Sequence, residues 1–349
     1  MNTWGRHIRL SIFGESHGKA IGVIIDGLPA GESIDEERIA VEMSRRAPGG
    51  TEFSTARNES DLAEILSGTL NGKTTGAPLC AMIRNNDARS GDYGKAIRPG
   101  HADWTALLKY SGHADMRGGG HFSGRLTAPL VFAGALAKQI IGGRGVKVFG
   151  RVLSVGNLKD TETPATADEW EKISMARFPA SEGVRDAMQA LILEAKGEGD
   201  SVGGIVEAAA LGVPGGCGEP FFGALESVAA AMMFSIPGVK GLEFGGGFAL
   251  THMRGSEAND ELYVEDGIIR SRTNNNGGIL GGISNGAPII LRVAIKPTAS
   301  IAKVQRTVDP EHMTNVELEI KGRHDPCIAP RATPVVEAGL ALSILECMS

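Results

Sequence analysis

The chain has 349 residues, 42% of them hydrophobic and 22% charged, with a formal net charge of -6. That length supports a substantial core, and the charge offers no global attraction for nucleic acid or an anionic membrane, so any anion site has to be local. No signal-peptide pattern opens the sequence, no apolar run of roughly 18 residues occurs, and the four cysteines form no CxxC pair, which leads us to expect a cytoplasmic protein with no membrane helix and no metal site.

Segments 8–13 (IRLSIF) and 20–27 (AIGVIIDG) are short, β-branched and glycine-bounded, and read as strands. Helical spacing follows over Asp35–Arg45, then a strand at 78–84 (PLCAMIR). Arg125–Ile141 is apolar on most faces and predicts a buried helix, followed by a strand at 146–156. The stretch from Leu158 to Ser181 is polar and turn-rich. Helices are expected at Glu182–Lys196, Ala224–Phe234 and Thr333–Met348, and strands at 201–213, 247–255, 289–297 and 315–322. This order lacks the regular beat of βαβ units and predicts an α+β fold with helices packed between two largely antiparallel sheets.

The chain also resembles itself. GESHGKAIGVIIDGLPAG at 14–31 is echoed by GDSVGGIVEAAALGVPGG at 199–216, and GTLNGKTTGAP at 68–78 by GILGGISNGAP at 278–288. A weaker pair starts at Arg125 (RLTAPLVFAGALA) and Arg331 (RATPVVEAGLALS). Three echoes in one order predict a single domain over 1–349 built of two related halves, approximately 8–157 and 182–348.

Glycine accounts for 49 residues, about twice the usual share of roughly 7%. Clustered glycines suit ligand loops and tight turns alike. In GESHG, His17 beside Ser16 and Glu15 could act as a general acid, although a turn histidine bonded to backbone is the cheaper reading of that loop alone. In RPGHADW, Asp103 could orient His101 or cap a helix start. Arg323, His324 and Asp325 precede a proline in KGRHDPC, either at a site or in a surface salt bridge. The triple glycine of MRGGGHFSGR, ahead of a helix, could hold a phosphate. NGKTT at 71–75 lacks P-loop spacing and reads as a turn. Arg45 and Arg46, at a helix end, could grip phosphate or simply complement the helix dipole. Lys296–Ser300 (KPTAS) adds a cation and two hydroxyls after a strand. Together these loops suggest an enzyme acting on a phosphorylated, carboxylated small molecule.

The set FGESHG, SRRAPG, RSGDY, RPGHAD, RGGG, GDSVGG, SIPGVKG, GGILGGIS, KPTAS and GRHDP, running in order from Phe13 past Pro326, resembles the chorismate synthase family. The resemblance implies helices between two antiparallel four-stranded sheets, a homotetramer, and a lyase. That lyase uses reduced FMN to eliminate phosphate from 5-enolpyruvylshikimate 3-phosphate, with no net redox change. It further implies that His17 protonates the departing phosphate, His101 lies by the flavin N1–O2 edge, and Asp325 serves proton transfer at flavin N5. Flavin contacts are implied for His121, Phe122, Ser123, Pro237, Gly238, Gly281, Lys296, Pro297, Thr298, Ala299, Ser300 and Arg323. Arg46 matches a basic position for substrate phosphate or NADPH, and Arg45, Ser16 and Arg125 are counted with it. NADPH, or a separate flavin reductase, would act as external reductant. Ala47 and Glu52 replace basic residues common in the family, and His121-Phe122 replaces a smaller or basic pair, which bears on NADPH contacts more than on the lyase step. The alternatives from the residues alone are a flavin-dependent reductase or other phosphate-ester-binding flavoprotein, a phosphoryl-transfer enzyme, for which no sound nucleotide loop is present, and a non-catalytic scaffold.

Overall fold

The computed structural model describes residues 2–49, 51–54, 59–86, 96–320 and 324–349. The first half contributes β1 (Thr3–Trp4), β2 (Arg9–Gly14), β3 (Ala20–Asp26), α1 (Glu36–Arg46), β4 (Ala63–Ser67), β5 (Thr69–Leu70), β6 (Lys73–Thr74), β7 (Leu79–Arg84), α2 (Asp103–Tyr110) and α3 (Thr127–Gly142). β8 (Lys147–Val155) closes that half, β9 (Leu158–Lys159) and α4 (Ala167–Ser174) lie between the halves, and the second half contributes α5 (Glu182–Gly197), β10 (Gly204–Leu211), α6 (Leu225–Met233) and β11 (Val239–Phe244). It continues with α7 (Gly255–Ala258), β12 (Leu262–Glu265), β13 (Ile268–Ser271), β14 (Ile279–Leu280), β15 (Ile283–Ser284), β16 (Ile289–Ile295), β17 (Gln305–Asp309), β18 (Thr314–Leu318) and α8 (Ala329–Cys347).

Two antiparallel sheets face each other across helices, as the periodicity predicts. Their strand orders are β1-β2-β3-β7-β4 and β11-β16-β10-β8-β9. Each has four main strands, and two-residue edge strands, β1 and β9, make both sheets five-stranded rather than four-stranded. Between them, α3 packs on β3 and β7, and α8 packs on β8 and β10. Both helices are apolar around their circumference because both are enclosed. They approach so closely that a Cβ on Gly134 would lie 2.1 Å from Ala338 Cβ.

The echoed segments occupy equivalent places. Ile21 opposes Ile83 and Val23 opposes Ala81 in the first sheet; at the matching repeat positions Val206 opposes Val293 and Ala208 opposes Leu291 in the second. The repeated G-rich segments form the β5–β6 and β14–β15 hairpins. In the first of these, Asn71 and Gly72 both take positive φ (50° and 71°), the backbone a two-residue hairpin turn requires. We propose from this matching of register that the chain is one domain of two related halves.

The outer faces differ. On the second sheet α4 and α5 cover β8, so β8 and β10 are buried on both sides and Trp170 lies inside. On the first, Phe13 and Ile24 remain exposed.

Three local readings change. Residues Gly247–His252 form a short 3-10 turn rather than a strand, because the Glu243 carboxylate accepts the Phe248 N–H at 3.2 Å and no neighbouring strand pairs with the segment. The polar stretch after Leu158 contains α4, started by a capping box in which Thr166 and Glu169 exchange hydrogen bonds. Helix α8 begins at Ala329 rather than Thr333, with Pro330 in its first turn, where no N–H is needed, and Pro334 inside it. None of the described helices is long and apolar enough to cross a membrane.

Candidate active site

Where the helix ends meet the second sheet's loops, a cavity of about 1060 Å³ opens. Its walls come from both halves. Arg46 ends α1; His121, Phe122, Ser123 and Arg125 precede α3; Pro237 and Gly238 follow α6; Lys296–Ser300 follow β16; Asp325 precedes α8. Among the described residues, the cations Arg46, Arg98, Arg125, Lys240, Lys296 and Arg331 line it, against the single carboxylate of Asp325. In a chain of net charge -6 this is a local concentration of basic side chains.

The cations are held in place. Arg46 pairs with Asp61 at 2.6 Å and donates to Thr127 Oγ1 at 3.1 Å and Gly124 O at 2.8 Å. Arg125 shares the same Asp61 carboxylate and donates to Asn85 Oδ1 at 3.0 Å. Burial alone would raise Asp61, but Arg46 and Arg125 outweigh it and keep its carboxyl below the usual range. Burial, together with the charges of Arg331 and Arg125, outweighs Asp61 and pulls Arg46 down to about 10. Arg331 pairs with Asp325 and donates through Nε to Arg46 O at 3.2 Å, tying two cavity walls together.

The histidines meet at the triple glycine. Gly118, Gly119 and Gly120 all take positive φ (61°, 85° and 54°). A Cβ at Gly118 would fall 2.4 Å from His17 Nε2, and one at Gly119 would fall 3.1 Å from His101 Nε2. His17 is not itself a lining residue; its Nε2 edge abuts Gly118, which is. Ser16 beside it is buried, with its Oγ unpartnered and close to the same glycine. His101 Nδ1 lies 2.6 Å from Asp103 Oδ1. Asp103 is the first residue of α2, and no side-chain bond caps that helix, so it orients His101 rather than capping. His121 donates from Nδ1 to Gly14 O at 2.8 Å, and Phe122 packs on Tyr110 with ring centroids 6.2 Å apart.

Not every expected residue arrives. Arg45 is not among the lining residues: it is bound to Glu337 at 2.6 Å, Glu42 at 2.7 Å and Ser174 O at 3.0 Å, in a buried cluster completed by Lys138. Gly281 lies in the β14–β15 turn, whose next residue, Gly282, packs on Ala224 at the start of α6. The cavity meets the other end of α6, at Ala231–Phe234, about 12 Å away at helical rise. Arg323 and the RSGDY motif fall outside the described residues. Arg331 and Arg98 were missed, and both had a signal: Arg331 is the repeat counterpart of Arg125, and Arg98 heads the RPGHAD motif. No group of three or more metal-ligating side chains occurs among the described residues.

The chorismate synthase family model matches residues 8–348. A chorismate synthase of Korarchaeum cryptofilum is 50% identical over 347 residues, covering 98% of this chain and 96% of the relative. One of Archaeoglobus fulgidus is 50% identical over 352 residues, covering 100% and 97%. A crystal structure of chorismate synthase superposes with a TM-score of 0.74 at 30% identity, covering 99% of this chain and 92% of that one.

Proposed function

The chain belongs to the chorismate synthase family, and from that premise we propose how its own residues carry the family's reaction. That reaction is a carbon–oxygen lyase step: 5-enolpyruvylshikimate 3-phosphate loses phosphate and a distal hydrogen to give chorismate, for aromatic amino-acid synthesis. The observation that carries the assignment is the cavity itself, where six cations, His101 and Asp325 converge beside the glycines that touch both His101 and His17.

The family's reduced flavin fits this cavity. Its volume suits a tricyclic ring with a substrate ring stacked on it. The glycine cradle, where a Cβ would collide with either imidazole, brings both histidines close to whatever it holds. His121, Phe122, Ser123, Pro237, Gly238 and Lys296–Ser300 would hold the FMN. When bound, the reduced flavin supplies electron density that the ester borrows and returns, so turnover consumes no reductant.

The protein's tasks are positional and electrostatic. Arg46, Arg125 and Arg331 bind the phosphate and carboxylates. His17 donates a proton from Nε2 to the departing phosphate across Gly118, where a side chain would block it. Asp325, steered by Arg331, accepts the distal hydrogen as a proton. NADPH acts as external reductant only, and the assembly is a homotetramer, which sedimentation measures directly.

The test is an anaerobic assay with reduced FMN and the enolpyruvyl phosphate, following phosphate release. Release with an unchanged flavin spectrum is expected; net NADPH oxidation without phosphate release would establish the reductase alternative instead. His17→Ala should lose roughly 10²–10⁴-fold in turnover, the usual span of a general acid, while still binding flavin. Normal turnover in that variant removes His17 from the mechanism.

A further inference from the structure

His101 and Arg98 close on one carboxylate. Asp103 Oδ2 accepts from the Arg98 backbone N–H at 3.0 Å and from Arg98 Nε at 2.7 Å, and Oδ1 accepts from Arg98 Nη2 at 2.7 Å. The same Oδ1 lies 2.6 Å from His101 Nδ1. Arg98 Nη2 also approaches that Nδ1, at the longer distance of 3.1 Å.

These distances select a protonation pattern. A 2.6 Å approach between a nitrogen and a carboxylate oxygen requires a proton between them; two lone pairs would repel. Burial favours a neutral Asp103, but the hydrogen bonds from His101 and Arg98 outweigh it and hold the carboxyl far below its usual range. The proton therefore resides on Nδ1. The 3.1 Å approach of Arg98 is then a contact between two donors that share one acceptor, the weaker of the two interactions at Nδ1. Nε2 is left as the nitrogen that exchanges protons, on the edge that abuts cavity-side Gly119.

The pair is anchored to the other half of the molecule. Arg98 Nη1 reaches Ser300 Oγ at 3.4 Å, Lys296 donates to Gly100 O, and Thr307 donates to Ile97 O. The segment leading into His101 is thus pinned to the KPTAS wall and to β17 through three residues that precede the histidine.

We propose that Asp103 is a positioning residue for the lyase reaction: with Arg98 as its counter-ion, it locks His101 as the Nδ1–H tautomer and presents Nε2 to the bound ligand. The claim rests on the reading of His101 as a ligand-facing residue of the site. It assigns Arg98, which lines the cavity, a second task beyond adding positive charge, because its guanidinium and backbone N–H hold both carboxylate oxygens beside the imidazole.

The decisive measurement is long-range ¹H–¹⁵N correlation on full-length, ligand-free enzyme labelled at histidine, at alkaline pH, with His101 assigned by its loss in His101→Gln. The expected result is a protonated Nδ1 and a lone-pair Nε2. An Nε2–H tautomer in the wild-type protein overturns the proposal without any further variant. In Asp103→Asn one carboxylate oxygen becomes an NH₂ donor, so either Arg98 or His101 loses its acceptor. The Nδ1–H signature should weaken, and turnover should fall, by up to roughly 10⁴-fold as when a catalytic histidine loses its orienting carboxylate, with little change in substrate KM. Unchanged tautomer and turnover in that variant also overturn it. His101→Gln tests the underlying reading separately: normal turnover there removes His101 from the site, whatever its tautomer.

Discussion

Arg45 and Arg46 are neighbours in the sequence and end in opposite surroundings. Arg45 sits with Lys138 against Glu42 and Glu337, a buried cluster in which cations and carboxylates balance. Burial disfavours its charge, yet the carboxylates outweigh burial and lift its pKa above the usual arginine value. Arg46 shares Asp61 with Arg125 and has Arg331 close by, and there burial prevails and its proton is held less firmly. A cluster that neutralises itself fastens helices together. Arg46, Arg125 and Arg331 also have carboxylates of their own, in Asp61, Glu59 and Asp325, but these arginines line a cavity, and it is that access that we propose an anionic ligand uses.

The contrast can be broken at its strongest point first. Arg46→Ala should reduce kcat/KM roughly 10²–10³-fold, the scale expected when one partner of a desolvated charge pair is truncated; steady-state phosphate release measures it. An effect under threefold would mean that Arg46 is as structural as its neighbour. Arg45→Met should do the reverse. It leaves Glu337, which is fully buried, with Lys138 as its charged partner and the Ser174 hydroxyl at 2.9 Å, and should cost about 3 kcal/mol in denaturant unfolding while the folded fraction keeps near-normal kcat/KM.

A smaller effect sharpens the same distinction. Inorganic phosphate, at about 100 times its Kd, should stabilise wild type and Arg45→Met by about 2.7 kcal/mol, read as a rise of several degrees in Tm. Arg46→Ala should show little of that rise. The smallest effect is in pH. Burial would raise Glu337, but Arg45 and Lys138 outweigh it and depress its pKa from 4.5 to about 2. A depressed folded-state value contributes stability that is present above the unfolded pKa and is lost as pH falls through the folded one. Wild-type stability should therefore fall between about pH 4.5 and pH 2 more steeply than that of Glu337→Gln, which has no proton to take up at that position.

Much of this was legible in the chain. The strands at 20–27, 78–84 and 289–297 and the helices at α1, α3 and α5 announce themselves through local period, and the first two echoes anticipate the equivalent registers of the two sheets. The His17, His101 and triple-glycine loops were visible as loops, but their contact was not: it joins residues separated by a strand, a helix and a sheet. α4 was hidden because its polar face dominates the composition, and only Thr166-x-x-Glu169 and Trp170 marked it. Gly281 resembled a site position, yet it lies at the far end of α6 from its own chain's cavity.

By itself the sequence determined which segments coil and which extend, since that depends on neighbours within a few residues, where apolar spacing acts directly. Only the tertiary structure decided which arginine would line the cavity. Successive helical side chains point about 100° apart, so Arg45 and Arg46 leave α1 in different directions. What waits there, Glu337 for one and Asp61 for the other, is supplied by distant parts of the chain whose arrival depends on packing.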